Sequence, residues 1–192
     1  MAYATYITEA LVCGTFNRNT SDRSYLLFTR EAGMLYADAR SVRVEKSKQR
    51  YALQDFSLVR VSLVKGKRGW RVGSIEASKN YYHLATSKST RGAVVSMFRL
   101  LRRFLKGEEV SVRLFDFVVD GLDVLGATSE NSRFTSEVIQ LRVMAYLGYV
   151  DTRKIPDSVR DCQPKELLYF EDKAVSAVID QLYAHAVTSS HL

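Results

Sequence analysis

Ten basic side chains fall between positions 40 and 71: Arg40, Arg43, Lys46, Lys48, Arg50, Arg60, Lys65, Lys67, Arg68 and Arg71, opposed only by Glu45 and Asp55. Guanidinium and ammonium groups at this density neutralise phosphates and release their condensed counterions, so the chemistry they suit is binding of a polyanion. A solvated loop kept basic for solubility is the plainer reading, and the size of the excess argues against it. A second basic set follows at Arg99, Arg102, Arg103 and Lys106, spaced i, i+3, i+4, i+7, which places all four on one helical face opposite Leu101. Like charges at that spacing cost an isolated helix about a few tenths of a kcal/mol per pair, so a counter-charge is expected. Phosphate is one candidate. The other is the row Asp116, Asp120 and Asp123 on the next predicted helix, and sequence leaves the two open.

Residues for covalent or metal chemistry are sparse. There is no Gly-x-Gly-x-x-Gly, Walker A, His-Glu-x-x-His or Gly-x-Ser-x-Gly pattern. The Asp116 row could hold Mg²⁺ for phosphoryl chemistry, but Val118, Val119 and Leu122 between its members mark it as the wet side of an amphipathic helix. His83, His185 and His191 lie in no ligand-like spacing with the two cysteines, Cys13 and Cys162, which are expected to be free thiols. No catalytic residue, metal ligand or cofactor is expected.

Charge is strongly polarised along the 192 residues. Positions 1 to 107 carry 20 Lys/Arg against 7 Asp/Glu, and positions 108 to 192 carry 8 against 14, which reserves the polyanion for the first part. No basic face is paired with an aromatic-rich apolar face near a terminus, so nucleic acid is favoured over a membrane surface. Met1 to Glu9 has neither a basic lead nor a long apolar run, and a cytoplasmic, nucleoid-associated protein is expected.

The elements that must position these residues change character near Asn80. Before it, short runs rich in Val, Leu, Ile, Tyr and Phe predict five strands: 6–14, 24–30, 34–42, 56–65 and 70–77. Glu31-Ala32-Gly33 reads as a hairpin link, and Gly66-Lys67-Arg68-Gly69 as a four-residue loop. Five strands so joined suit an antiparallel barrel of the OB type. If Leu35, Ala37 and Ala39 point inward, Tyr36 and Arg40 share the outer face, as does Arg60 between Val59 and Val61. An aromatic beside arginines is a stacking platform for bases. After Asn80 the period becomes 3.6, predicting helices ending at Gly107 and spanning 110–125, 132–147 and 164–186, with 150–162 irregular. The expected fold is therefore α+β, with an OB-fold domain over 1–79 and a helical domain over 80–192.

The same segments resemble the RecO family of bacterial recombination mediators. The likeness runs through Thr8-Glu9-Ala10-Leu11-Val12, Ser21-Asp22-Arg23, Leu27 to Leu35, Ala39-Arg40, Lys46-Ser47-Lys48, Leu53-Gln54-Asp55-Phe56-Ser57-Leu58 and Ile75-Glu76-Ala77. Leu141 to Tyr149, ending in Leu-Gly-Tyr, is similar to the helix that precedes the family's metal-binding region. Asp55 replaces a usual proline and Ser41 a common glycine, so the loops there are expected to differ in shape. Many members follow the Leu-Gly-Tyr helix with four zinc-binding cysteines, but only Cys162 is present, and the chain is shorter than a typical member. Zinc is not expected. The resemblance implies a non-enzymatic protein that binds single-stranded DNA, with duplex DNA a further ligand, anneals complementary strands and assists RecA loading. It also implies RecR-like and single-strand-binding proteins as partners. An OB-type RNA-binding or translation-associated module, or a nuclease using the Asp116 row, are the alternatives.

Overall fold

The computed structural model describes residues 5–42, 49–127 and 132–190. Five strands, β1 (Thr5–Asn17), β2 (Arg23–Thr29), β3 (Gly33–Ala39), β4 (Ser57–Gly66) and β5 (Gly69–Asn80), close a barrel in the order β1-β2-β3-β5-β4. β1 closes it by pairing twice: Thr5 to Leu11 lie against β4, and Ala10 to Asn17 against β2. A register shift between Val12 and Gly14 leaves Cys13 as the extra residue, the kind of bulge that bends a strand from one neighbour to the next.

The barrel is mostly antiparallel, as expected, with one exception. Strands β3 and β5 pair in parallel at Ala37↔Trp70 and Asp38↔Arg71. A closed ring of five strands cannot alternate direction throughout, so one neighbouring pair must run parallel. Alternation along the strands otherwise follows the pattern read from sequence. Leu35, Ala37, Ala39, Val59 and Val61 are buried with Ala10, Val12, Tyr25, Leu27, Leu63 and Trp70 inside the barrel, while Tyr36, Arg40 and Arg60 stand outside. The helical turn α1 (Gln49–Ala52) precedes Leu53, which joins the same core with Val42.

The chain divides into two compact units. One comprises Met1–Tyr82 with Lys106–Phe115, the other His83–Leu105 with Asp116–Leu192. Specific contacts hold the returning segment to the barrel. Met34 N–H donates to Gly107 O at 2.9 Å, Phe115 meets Phe28 edge-on at 5.2 Å, and Glu108 accepts from Trp70 Nε1 at 2.8 Å and Lys65 Nζ at 2.9 Å. Gly33 permits this approach: its φ is +67°, and a Cβ there would lie 2.5 Å from Glu109 O.

The helices are α2 (Tyr81–Leu84), α3 (Lys88–Phe104), α4 (Val112–Ala127), α5 (Ser132–Tyr146), α6 (Asp157–Arg160) and α7 (Lys173–Ser190), of which α2 and α4 begin in the first unit and continue into the second. Ser87 and Thr90 form a reciprocal capping box that starts α3. Helix α5 is the hub, with α3, α7 and a 3₁₀ turn at Pro164–Tyr169 packed on it. Being covered on several sides, it buries Thr135, Ser136, Glu137 and Gln140 among its apolar residues. Gln140 donates to Ser136 Oγ at 2.8 Å and accepts from Tyr183 OH at 3.1 Å, whereas one carboxylate oxygen of Glu137 has no partner among the described residues. The single helix expected over 164–186 is instead the 3₁₀ turn followed by α7, and the stretch 150–162 contains a 3₁₀ turn at Thr152–Lys154 and α6.

Candidate nucleic-acid interface

The β4–β5 hairpin is tighter than a four-residue loop, because Gly66 and Gly69 themselves pair and leave Lys67 and Arg68 as a two-residue tip. Gly69 makes the turn at φ +109°. Across from it, the β1–β2 loop is held by side chain to backbone bonds. Asn19 Oδ1 accepts from Ser21 N at 2.9 Å and Asp22 N at 2.7 Å, and Asp22 Oδ1 accepts from Ser41 N at 2.9 Å. Ser41 reaches that bond from the left-handed region, at φ +53°, where glycine would sit without strain. The Ser41 N–H and then the Asn19 amide hold the Asp22 carboxyl below the usual carboxylate range.

These two loops and the end of β3 surround a cavity of about 230 Å³, into which Arg18, Arg40, Arg68 and Arg71 converge with Asp22, Asp38 and Trp70. The parallel β3–β5 pairing is what brings Arg71 beside Asp38. Arg18 pairs with Asp38, whereas Arg40, Arg68 and Arg71 make no ion pair among the described residues. An arginine cluster with two carboxylates on a preorganised loop can hold a phosphate and also accept hydrogen bonds from a ligand's N–H groups.

Beside the cavity stands an aromatic pair. Phe16 is 45% and Tyr36 59% exposed, with ring centroids 5.8 Å apart. Register explains their meeting: Phe16 aligns with Ser24 and Asp38, and Gly14 with Leu26 and Tyr36, so the two rings are diagonal neighbours over a row that Gly14 leaves open. Exposed rings next to guanidinium groups that make no ion pair among the described residues suit stacked bases of a single strand.

The other predicted residues are distributed differently. Arg60 lies on β4 directly between Glu9 of β1 and Glu76 of β5, a mixed-charge row away from the cavity. Lys65 is committed to Glu108 and sits 4.8 Å over the Trp70 ring. Its hydrogen bond, and then that of Trp70, keep the Glu108 carboxyl below its ordinary range. Lys67 is exposed at the hairpin tip. Arg43, Lys46 and Lys48 lie outside the described residues, as does the Arg50 side chain on α1. Sequence reading missed Arg18 and Phe16. The bulge at Cys13 shifts the alternation of β1, so counting in twos from Val12 does not reveal that Phe16 faces out.

In the helical unit Arg99, Arg102 and Arg103 are exposed on α3, whose apolar face packs on α5, with no contact of comparable extent to α4. Lys106 is not on this helix, which ends at Phe104, and it belongs to the barrel unit. Arg103 lines a cavity of about 470 Å³ with Phe104, Met144, Leu182 and Lys154. Asp116, Asp120 and Asp123 occupy the wetter side of α4, opposite buried Val118 and Leu122. Among the described residues no three His, Cys, Asp or Glu side chains are grouped to hold a metal. Cys162 donates to Val159 O at 3.5 Å and has no second cysteine near it, so the residues present do not fit a zinc site. No helix among the described residues is long and apolar enough to cross a membrane.

Residues 1–81 match the family model described as "Recombination protein O N terminal". DNA repair protein RecO from two strains of Desulfitobacterium hafniense is 31% identical over 144 residues, 75% of this chain and 52% of the relative. DNA repair protein RecO from Caldanaerobacter subterraneus subsp. tengcongensis is 24% identical over 172 residues, 89% of this chain and 68% of the relative. The chain thus spans about half the length of the two Desulfitobacterium relatives it matches.

Proposed function

This chain belongs to the RecO family, and we propose that its barrel binds single-stranded DNA without cleaving it, as part of recombinational repair. The carrying observation is the meeting, on one side of the barrel, of three arginines without ion-pair partners among the described residues and an exposed Phe16–Tyr36 pair. The arginines neutralise phosphates, and the rings stack bases in a sequence-tolerant way. Annealing follows from the same charges: a basic surface lowers the repulsion between two phosphate backbones, and base pairing then supplies the driving force. The family likeness supports extending this reading to assistance of RecA loading, with RecR-like and single-strand-binding proteins as partners. The helical unit suits an acidic protein tail, since its larger cavity combines apolar Phe104, Met144 and Leu182 with Arg103 and Lys154.

The test is an annealing assay with labelled complementary strands in the presence and absence of Mg²⁺. Accelerated duplex formation with both strands intact is the expected result. Strand cleavage that requires Mg²⁺ would instead make the protein a nuclease, and preferential binding of an RNA strand of the same sequence would favour the translation-associated reading.

A further inference from the structure

The cationic cavity of the barrel holds more than a phosphate needs. Phosphate has only acceptor oxygens and, when monoprotonated, a single O–H, yet Asp38 projects a carboxylate among the arginines. Its Oδ2 is engaged by Arg18, while Oδ1 takes no hydrogen bond among the described residues. Asp22 is different, because Ser41 N and Asn19 Nδ2 already occupy its two oxygens. Asp38, with one oxygen wholly unengaged among the described residues, is therefore the acceptor with more capacity open to a ligand, and it is only partly exposed, with 26% of its side chain accessible. A carboxylate has two oxygens and about four lone-pair sites, so Oδ2 can keep Arg18 and still accept a further donor.

The cavity lies beside the Phe16–Tyr36 pair and measures about 230 Å³, below the roughly 300–1,000 Å³ of pockets for larger ligands. That is room for one base turned aside from a strand. Among the four DNA bases, guanine alone carries N–H donors on two adjacent atoms of one edge, N1 and N2, the complement of a carboxylate fork. Its O6 lies next along that edge, where a guanidinium can donate to it. We infer that the cavity takes a single guanine of the bound strand, with Asp38 accepting from N1–H and N2–H, Arg18 donating to O6, and Arg68 and Arg71 on the hairpin side holding the two adjoining phosphates. This rests on the barrel's reading as a single-strand site and adds base selectivity to it. Thymine and adenine offer Asp38 one donor-bearing atom each, as does cytosine.

The test uses the full chain and fluorescein-labelled oligothymidylates of about twelve nucleotides, within the span of OB-fold sites, carrying one central dG, dA, dC, dT or deoxyinosine. Anisotropy titrations at one fixed salt concentration should show the dG strand binding about tenfold tighter than the dA, dC and dT strands, in the range of a bidentate base contact. Deoxyinosine, which lacks the N2 amino group, should lose most of that gain, and a strand with 7-deazaguanine, which keeps the N1, N2 and O6 edge, should retain it. In Asp38→Asn the dG-to-dT affinity ratio should fall to about one, whatever the absolute affinities, because the amide replaces one acceptor with a donor. Equal affinities for the wild-type protein, or full retention of the gain by deoxyinosine, would overturn the guanine assignment while leaving the single-strand site intact. No measurable binding to any strand would overturn the site and the assignment together. Free guanosine monophosphate should compete only at millimolar levels, and competition at micromolar levels would overturn the strand as the source of the base.

Discussion

Replacing Arg68 and Arg71 with alanine removes two of the three cavity arginines that have no ion-pair partner among the described residues. If Arg40, Arg68 and Arg71 each neutralise one phosphate, log affinity for single-stranded DNA should fall with log salt at a slope of about −2.1, from roughly −0.7 per phosphate. Affinity then drops about eighteenfold between about 50 and 200 mM salt. In the double variant one contact remains, the slope flattens to about −0.7, and the same change in salt costs only about threefold. Tyr36→Ala should behave oppositely. Loss of one stacked base costs about 1–3 kcal/mol, so binding weakens at every salt concentration, along a line parallel to that of the wild type. Anisotropy titrations of a labelled oligothymidylate at four or five salt concentrations read both quantities. Circular dichroism melting confirms the fold, which exposed tip and strand-end charges should hardly affect. A double-variant line parallel to the wild type, or a shallower Tyr36→Ala line, would refute the division of labour between arginines and rings.

Three further outcomes concern stability. Gly33→Ala should destabilise the barrel by about 3 kcal/mol, since it combines a left-handed φ with a Cβ 2.5 Å from Glu109 O; at roughly 2–4 °C per kcal/mol the melting temperature should fall by about 6–12 °C. Ser41→Gly should leave the melting temperature unchanged or raise it by about 1–3 °C, because relief of the strained φ is partly offset by the entropy of a more flexible unfolded chain; a fall of several degrees would show that the serine side chain matters. Glu137 is buried on α5 with one carboxylate oxygen unpartnered, and burial first, with contact to Asp180, raises its pKa, against the ion pair with Arg133. A raised folded-state pKa contributes stability below the ordinary carboxylate range that is lost as pH rises through the folded value. Glu137→Gln, which imitates the protonated form, should therefore melt higher than the wild type near neutral pH and lose that advantage on acidification towards pH about 4.5, and a lower melting point at neutral pH would contradict this.

The strand alternation was legible because each strand has one face in the core: Leu35, Ala37 and Ala39 against Tyr36 and Arg40 could hardly be read another way. What escaped depended on contacts distant in sequence. The meeting of Arg18, Arg40, Arg68 and Arg71 requires the β3–β5 pairing, and nothing local announces which strands become neighbours when a barrel closes. Arg60 shows the reverse case. It is outward-facing as expected, but its position between Glu9 and Glu76 is a fact of register. Charge counting likewise grouped Lys65 with its neighbours in sequence, although its partner is Glu108, 43 positions away. The period showed that Arg99, Arg102 and Arg103 share the exposed face of α3, but not that the helix ends at Phe104, before Lys106. Which neighbour that helix meets was left open, since helix periodicity carries no information on it.

The return of Lys106–Phe115 to the barrel also bears on how the protein is made. The five strands are complete once Asn80 has been synthesised, yet the cover over Phe28 and the acceptor for Trp70 Nε1 come from Phe115 and Glu108. At about 5–20 residues per second, the ribosome needs a few seconds to add that segment. During this interval the nascent barrel has an uncapped β2–β3 hairpin and an apolar patch around Phe28, and synthesis of α3 is completed before the patch can be sealed. A holding chaperone that shields exposed aromatic surface would find its target there, and slowing translation between codons 80 and 115 should lengthen that exposure and lower the soluble yield.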